Sequence, residues 1–255
     1  NSYAMFKVGG VRRDIENSKI PAIRKEMSVM RKKLDLLTGA VMDDPVIHAR
    51  TKGVGILTRQ DILDYGAVGP TARASGVDID VRRDDPYAAY PLVNWKVITA
   101  RAGDVFAKLE VRLLEMYESV SIIEQCIDAL EKMKEGNIAL KINEIPAGIG
   151  TGRAEAPRGE VFHFVVSDGS NSPARHKIRA PSYTNIATFK KSCIGQTIAD
   201  ATISLAAVDP CYCCTERMAA VYDNSSGKKI LNANELIELS MKRTAELRKS
   251  DARHE

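Results

Sequence analysis

Aromatic residues and strong net charge are both scarce in this 255-residue chain. Aromatic side chains make up 5% of it, and the formal net charge of +4 is spread along the sequence. Proteins that bind nucleic acids use a concentrated basic surface and, for single strands, aromatic platforms on which bases stack. Both features are lacking, so the composition argues against a nucleic-acid partner.

The sequence also lacks long apolar runs and a dense set of cysteines. No apolar stretch approaches the roughly 18–20 residues of a membrane-spanning helix, and no signal peptide opens the sequence. Five cysteines in a chain of this length do not resemble a secreted disulfide framework. We therefore predict a reducing, cytoplasmic compartment. We also expect residues upstream of Asn1, because the first residues read like the middle of a domain.

Helical periodicity dominates the first half of the chain. Apolar residues recur at helical spacing after Pro21 and again within Trp95–Lys134, which predicts two long helices. Thr58–Asp61 resembles a capping box that opens a short helix, with Gly66 closing it. The Gly- and Pro-rich segment Gly66–Tyr90 is predicted to be a long ordered loop. One face of the first helix is basic and is predicted to be solvated, through Arg24, Lys25, Arg31 and Lys32.

Shorter elements are predicted in the second half. They are a loop at Pro146–Gly159, a strand at Glu160–Ser167 with a return strand at His176–Arg179, short helices around Thr184–Ser192 and Thr197–Leu205, a loop at Asp209–Thr215, and a final helix capped by Asn232–Glu235 and ending near Arg248. Together these patterns predict a mainly α fold with a small antiparallel β-sheet, that is, an α+β protein.

The segment Cys211-Tyr212-Cys213-Cys214 carries the sharpest chemical signal. Its outer cysteines are spaced so that both sulfurs can turn toward one centre, and thiolates suit zinc, iron or nickel. The chain offers no second pair, since Cys126 and Cys193 are isolated and none of the four histidines has ligand spacing to the motif. The pair therefore acts as a dithiol, shares a metal with ligands outside this chain, or is inert. Asp209 just before it opposes thiolate formation.

Several motifs around this pair resemble one family. Asp209-Pro210-Cys211 followed after Cys214 by Thr215-Glu216-Arg217 resembles the C-terminal metal motif of [NiFe]-hydrogenase large subunits. Glu155–Glu160, with His163 beyond it, is similar to their Glu-Ala-Pro-Arg-Gly segment, and Arg179–Asn185 corresponds to their Pro-Ser/Thr segment. The resemblance implies a hydrogenase large-subunit-like helical bundle.

Motifs in the first half narrow this resemblance to the membrane-bound, energy-converting group of these enzymes. That group includes the formate hydrogenlyase and Ech types and is related to the quinone-site subunit of respiratory complex I. The matching segments are Gly9–Asp14, Thr51–Gly55, Gly69-Pro70, Arg73–Gly76 and Arg82–Tyr87. The resemblance covers most of the chain between Gly9 and Arg217.

The resemblance implies a NiFe(CN)2CO centre held by two cysteine pairs. Cys211 would be a terminal nickel ligand and Cys214 a bridge between the metals, while the other pair is expected upstream of Asn1. The enzyme would interconvert H2 with protons and electrons, coupled to ferredoxin or formate oxidation and to ion translocation. An iron–sulfur cluster in a partner subunit would carry the electrons.

Four further residues receive roles from the resemblance, each beside a plainer interpretation. Arg158 would lie over the open nickel position, or is an ordinary surface ion pair. Asp209 would orient Arg158, or is a turn former before Pro210. Ser182 would donate to a cyanide, or caps the following helix. Pro157 would help enclose the diatomic ligands. His163 belongs to the same region, and a satisfied strand histidine is the favoured interpretation.

Arg217 stands where many hydrogenase large subunits carry a histidine, which matches the energy-converting group instead. In that group a maturation protease commonly cuts after this residue, so we predict a core at 1–217 and a removable tail at 218–255. The expected partners are an iron–sulfur small subunit, membrane-arm subunits, the maturation protease and a nickel chaperone. The expected location is the inner face of the cell membrane, as a peripheral protein.

Two other functions remain open from the sequence. The first is a hydrogenase-derived subunit of a respiratory or sulfur-reducing complex without nickel chemistry, in which Cys211 and Cys214 form a redox dithiol or a structural pair. The second is an inert scaffold for assembling a membrane arm. The presence of nickel and iron, of a titratable dithiol without metal, or of neither distinguishes the hydrogenase, the nickel-free subunit and the scaffold.

Overall fold

A computed structural model describes residues 5–134, 136–215, 221–223 and 225–251. The chain divides into two compact units, Asn1–Cys214 and Thr215–Glu255. The predicted boundary between Arg217 and Met218 lies outside the described residues, so the predicted core and tail stay a prediction. No described helix is both long enough and apolar enough to cross a membrane.

Helices make up most of the described chain. They are α1 (Ile20–Met42), α2 (Pro45–Thr51), α3 (Arg59–Tyr65), α4 (Gly69–Arg73), α5 (Val81–Asp84), α6 (Val105–Lys132), α7 (Pro181–Asn185), α8 (Phe189–Cys193), α9 (Ile198–Val208), α10 (Tyr212–Thr215) and α11 (Ala233–Asp251). The strands are β1 (Phe6–Lys7), β2 (Gly10–Val11), β3 (Gly148–Ala156), β4 (Gly159–Ser167), β5 (Arg175–Arg179), β6 (Val221–Tyr222) and β7 (Lys229–Leu231). The α+β fold class is confirmed.

The two long helices α1 and α6 pack against each other in antiparallel directions. Arg24 near the start of α1 pairs with Asp128 near the end of α6, and Arg31 pairs with Glu124 one turn earlier on α6 at 2.6 Å. The basic face of α1 is thus solvated at these two arginines, as predicted, with side chains 44% and 42% exposed, but each also has an ion-pair partner on α6. Exposed pairs of this kind contribute little to stability, because solvent screens them, so they set the register of the two helices more than their stability.

The predicted start of the second long helix is also wrong. The side chain of Asp104 accepts a hydrogen bond from the amide of Ala107 at 2.8 Å, so α6 begins at Val105 rather than near Trp95. By contrast, the capping box predicted for α3 is confirmed. Thr58 and Asp61 cap each other's amides, and Gly66 ends the helix with φ of 62°.

The first part of the predicted loop Gly66–Tyr90, from Ala67 to Val81, instead lies largely in the core, while most residues after it are exposed. The predicted loop contains α4 and α5, and Ala72, Arg73 and Ala74 are each at most 1% exposed. Its glycine and proline content misled the prediction, because those residues allow close backbone packing as well as irregular loops. This segment brings a buried arginine against α6 and the main sheet.

The main sheet has the antiparallel order β3-β4-β5. Strands β4 and β5 are confirmed, but the predicted loop at Pro146–Gly159 is wrong, because Gly148–Ala156 forms β3. Glycine and alanine give β3 little strand propensity, so pairing with β4 decides its conformation. Ala156 pairs with Gly159, which leaves Pro157 and Arg158 as a two-residue turn between the strands.

The second unit contains the β6–β7 hairpin and the final helix α11. Asn232 Oδ1 accepts from the amide of Glu235 at 3.1 Å, and the Glu235 carboxylate accepts from the amide of Asn232 at 2.6 Å. The predicted cap of the last helix is therefore confirmed.

Candidate functional site

The paired cysteines lie just beyond the end of α9. Asp209 follows that helix in the left-handed region, with φ of 56°. The predicted loop is interrupted by α10, a single helical turn that places residues three apart on one side. The Sγ atoms of Cys211 and Cys214 are consequently 2.9 Å apart, while Cys213 is exposed.

The pKa values of the two thiols shift in opposite directions. The pKa of Cys211 is lowered, chiefly because its sulfur accepts a hydrogen bond from Cys214. The pKa of Cys214 is raised to about 11, chiefly by that same hydrogen bond and then by burial. The positive charge of Arg158 acts on both thiols and favours their ionised forms. Cys211 is therefore the first thiolate of the pair.

Arg158 reaches the cysteine loop from the β3–β4 turn. Its Nε donates to the backbone oxygen of Asp209 at 2.7 Å, and its Nη2 donates to the Asp209 carboxylate at 3.0 Å. The arginine side chain is 30% exposed, so it faces the loop rather than bulk solvent. The structure thus brings Arg158 to Asp209 and to the loop that carries the two cysteines, and this site is only partly buried, with the Asp209 side chain 41% exposed. Their chemical roles stay predictions.

Ser182 holds the same loop from α7. Its hydroxyl oxygen accepts a hydrogen bond from the Cys211 amide at 3.0 Å, and the residue is fully buried. No side-chain cap is found at the start of α7, so the alternative of a helix-capping Ser182 is wrong. Pro157 and Asp209 line one cavity beside the loop. His163 faces His176, with 2.9 Å between their ring nitrogens.

Arg112 is a third support, and sequence reasoning missed it. From α6 its Nη1 donates to the carbonyl oxygen of Ala207 at 2.9 Å. The last carbonyls of a helix lack partners within that helix, so the half-buried guanidinium supplies a missing hydrogen-bond donor there. This contact fixes the end of α9 immediately before Asp209. A lone arginine in an amphipathic helix carries no sequence signal for such a role.

Asn185 was also missed as part of the site. Its Oδ1 accepts from the amide of Val68 at 2.9 Å, and its Nδ2 donates to the backbone oxygen of Arg158 at 3.0 Å. Next to Val68, Gly69 packs so tightly that a Cβ would lie 2.4 Å from the same Arg158 oxygen. The turn carrying Arg158 is thus clamped against α4. Asn185 and Gly69 both lie inside segments that resemble the hydrogenase family, but only the fold reveals their contact with the Arg158 backbone.

The donor set fits half of a thiolate metal site. Among residues 5–134, 136–215, 221–223 and 225–251, no group of three or more Cys, His, Asp or Glu could hold a metal ion. Two thiolates on one tetrahedral ion, with bonds of about 2.3 Å, would be separated by about 3.8 Å. A shared metal would therefore require Cys214 to lose its proton and the two sulfurs to separate. Arg158 favours that deprotonation electrostatically.

The fold is that of a class of subunits with members in membrane-bound hydrogenases and in NADH-quinone oxidoreductases. Specifically, the family described as "Respiratory-chain NADH dehydrogenase, 49 Kd subunit" matches residues 2–145 and 135–217. The chain belongs to this family, whose members include oxidoreductase subunits.

Individual relatives carry several functional names. The chain is 34% identical to the membrane-bound hydrogenase subunit alpha of Pyrococcus furiosus, across 96% of this chain and 60% of that protein. It is 38% identical to a subunit of the NADH-quinone oxidoreductase of Clostridium beijerinckii, across 80% of this chain and 55% of that protein. It thus spans less than two thirds of these relatives.

A solved structure of the membrane-bound sulfane sulfur reductase, an archaeal respiratory membrane complex, contains a similar chain. The TM-score is 0.75 with 30% sequence identity, covering 80% of this chain and 57% of that one. The recognised relationship to hydrogenases and to the complex I subunit is therefore confirmed, and the names do not separate the functional alternatives.

Proposed function

We propose that this chain belongs to the catalytic large subunit of a membrane-associated [NiFe] hydrogenase, which interconverts H2 with protons and electrons. The observation that carries the proposal is the pair of thiols 2.9 Å apart, on a loop whose Asp209 binds Arg158 and whose thiols feel the charge of that arginine. The relative from Pyrococcus furiosus, named as a membrane-bound hydrogenase subunit, supports it. Coupling to ferredoxin or formate oxidation and to ion translocation is part of the same proposal.

In this function Cys211 and Cys214 hold half of the metal centre, and a second cysteine pair supplies the other half. The nickel–iron centre, when bound, supplies the Lewis acidity and redox chemistry for cleaving H2. The guanidinium of Arg158 acts through its charge and its hydrogen bonds. Asp209 fixes its direction, and Ser182 and Arg112 fix the loop that bears the thiols.

The proposal includes partners beyond this chain. An iron–sulfur small subunit would accept the electrons, and membrane-arm subunits would anchor the assembly at the inner face of the membrane. A nickel chaperone and a maturation protease would complete the centre. The solved relative from a respiratory membrane complex supports an assembly of this kind.

A second candidate function is a redox dithiol without nickel. The hydrogen bond between Cys214 and Cys211, with a lowered pKa at Cys211, is the arrangement that favours thiol–disulfide chemistry. Oxidation of the pair would form one S–S bond and release two protons, with two electrons passing to an iron–sulfur partner. The similarity to a chain of the sulfane sulfur reductase fits this alternative.

Metal analysis of the assembled complex tests both functions. Nickel and iron in the wild type, lost in both Cys211→Ser and Cys214→Ser, support the hydrogenase. Cys213→Ser is the matched control, because its exposed thiol belongs to the same turn. A titratable dithiol without nickel supports the second function. A complex with neither nickel nor a titratable dithiol would support the inert scaffold.

A further inference from the structure

A cavity of about 420 Å³, lined by both charged and apolar residues, lies beside Asp209 of the Arg158–Asp209 pair. Pro157 and Asp209 line it on the side of the cysteine loop, and Ser119 of α6, an exposed residue, also lines it. The cavity therefore connects the surroundings of the candidate site with the protein surface. Its volume leaves room for several water molecules, and its lining offers polar partners for them.

One face of α6 forms a wall of this cavity. Arg112, Glu115 and Ser119 follow each other at helical spacing and all line it. Arg112 also binds the end of α9, next to the candidate site. Seven residues of helix rise about 10 Å, so the wall extends roughly that far from Arg112 to Ser119. Glu115 lies between these two ends.

Two carboxylates in the cavity share one buried guanidinium. Arg73, which is 1% exposed, donates from Nε to Glu115 at 2.7 Å and from Nη1 to Glu155 at 2.8 Å. A third carboxylate, Asp80, pairs with Arg73 at 3.3 Å and with Arg82 at 2.6 Å. The cavity lining balances three guanidinium groups, Arg73, Arg82 and Arg112, against three carboxylates, Glu115, Glu155 and Asp209. A carboxylate there can hold a proton only where burial outweighs the neighbouring positive charge.

Glu155 is the member of the cluster best suited to hold that proton. Burial is the main cause that raises its pKa, and the charge of Asp80 raises it further, against the opposing effect of Arg73. Arginine side chains do not release protons at working pH. The carboxylates are therefore the groups in this cavity that can move protons.

We propose that this cavity is a proton passage, in which Glu155 and Glu115 transfer protons between the Arg158–Asp209 site and solvent near Ser119. This inference rests on the proposed hydrogenase function. For each H2 oxidised, two electrons pass to the iron–sulfur partner, and two protons must reach solvent. They move one at a time through cavity water and the two glutamates, and in the reverse direction when H2 is produced.

The first test uses the assembled complex with Glu155→Gln and Glu115→Gln. Both variants should retain nickel and iron. Both should slow isotope exchange between H2 and D2O by about 100-fold, the usual contribution of a positioned proton-transfer group. The matched control is Glu124→Gln, whose carboxylate on the same helix binds Arg31 at 2.6 Å outside the cavity. Wild-type exchange in both cavity variants would overturn the passage.

The second test does not depend on activity. Infrared spectra of the metal-free chain, recorded across a pH series in H2O and D2O, should contain a carboxylic-acid band that Glu155→Gln removes and Glu124→Gln preserves. If that band is missing, Glu155 holds no proton and the inference fails. A third outcome is a complex that contains no nickel and shows no isotope exchange, while the metal-free chain has the infrared band. It would overturn the hydrogenase proposal and the role of the passage in it, and Glu155 would still be a group that holds a proton.

Discussion

Arg158 and Asp209 are joined by two hydrogen bonds, one to the backbone oxygen at 2.7 Å and one to the carboxylate at 3.0 Å. A planar guanidinium makes both contacts at once, and Asp209 accepts them from a left-handed backbone conformation. The β3–β4 turn and the cysteine loop are thereby held as one unit. The direction of Arg158 relative to the thiols depends on this pairing.

Replacing Arg158 with lysine in the full-length mature protein should leave the metals bound but slow hydrogen turnover severely. Lysine keeps the charge but lacks the planar guanidinium that donates both hydrogen bonds to Asp209. The loss of one such donor costs about 100-fold in rate. Hydrogen–deuterium exchange by the purified variant measures the effect. Arg153→Lys, at an exposed ion pair with Asp85, is the control. Near-normal exchange in the Arg158 variant would remove this residue from the mechanism.

Asn185→Ala should destabilise the chain by about 3 kcal/mol, because it leaves two buried backbone groups without partners. Asn185→Asp should cost at least as much, since it keeps the acceptor for Val68 but places a buried carboxylate oxygen against the backbone oxygen of Arg158. Urea denaturation of the purified chain gives both values. Asn143→Ala, at an exposed position, is the control and should be neutral. Equal effects in all three variants would contradict the clamp.

Gly69→Ala should be much more harmful than Gly53→Ala. Both glycines have a similar positive φ, 68° and 72°, but a Cβ at Gly69 meets Arg158 and Gly159 within 2.5 Å, whereas nothing lies within 4 Å of one at Gly53. We expect about 1 kcal/mol at Gly53, from backbone strain alone, and about 3 kcal/mol or more at Gly69. Matched thermal melts of the two variants provide the measurement, and equal losses would show that the close approach is unimportant.

The buried Lys108 should make stability depend on pH. Desolvation lowers its pKa from 10.5 to about 8, although its Nζ donates to the backbone oxygens of Gly55 and Gly103. Between these values the unfolded chain binds the proton and the folded chain does not, so stability falls as pH drops from 10.5 to 8. Below that window the penalty is constant.

Lys108→Met removes this titration, so the comparison isolates it. The wild type should gain about 3 kcal/mol relative to the variant as pH rises through the window. Chemical denaturation of both proteins at the two ends of the window measures the difference, in which all other titrating groups cancel. A difference that does not change with pH would show that Lys108 has an ordinary pKa.

The maturation hypothesis concerns the end of the chain. We expect the subunit in active complex to end at Arg217, because closing the cysteine loop over both metals requires the chain beyond it to be removed. Residues 216–220 lie outside the described part of the chain, so the test is chemical. Mass spectrometry of the subunit gives its last residue. An active, nickel-containing chain that still ends at Glu255 would refute the hypothesis.

Local patterns in the sequence were sufficient for several features. The capping boxes at Thr58 and Asn232, the strand β4 and the close pair Cys211/Cys214 all follow from residues within a few positions of one another. Short-range hydrogen bonds and side-chain spacing decide such features, so no distant contact is needed to predict them. The resemblance to the family also predicted the pairing of Arg158 with Asp209, which lie 51 positions apart in the sequence.

Tertiary structure alone decided the rest. Strand β3 exists because β4 lies beside it, and the segment before α5 is core because α6 and the sheet enclose it. Arg112 and Asn185 support the site through backbone atoms of residues far away in sequence. Backbone carbonyls and amides are the same in every residue, so a sequence cannot indicate which of them a side chain will reach. Only the packing of helices and strands fixes those partners.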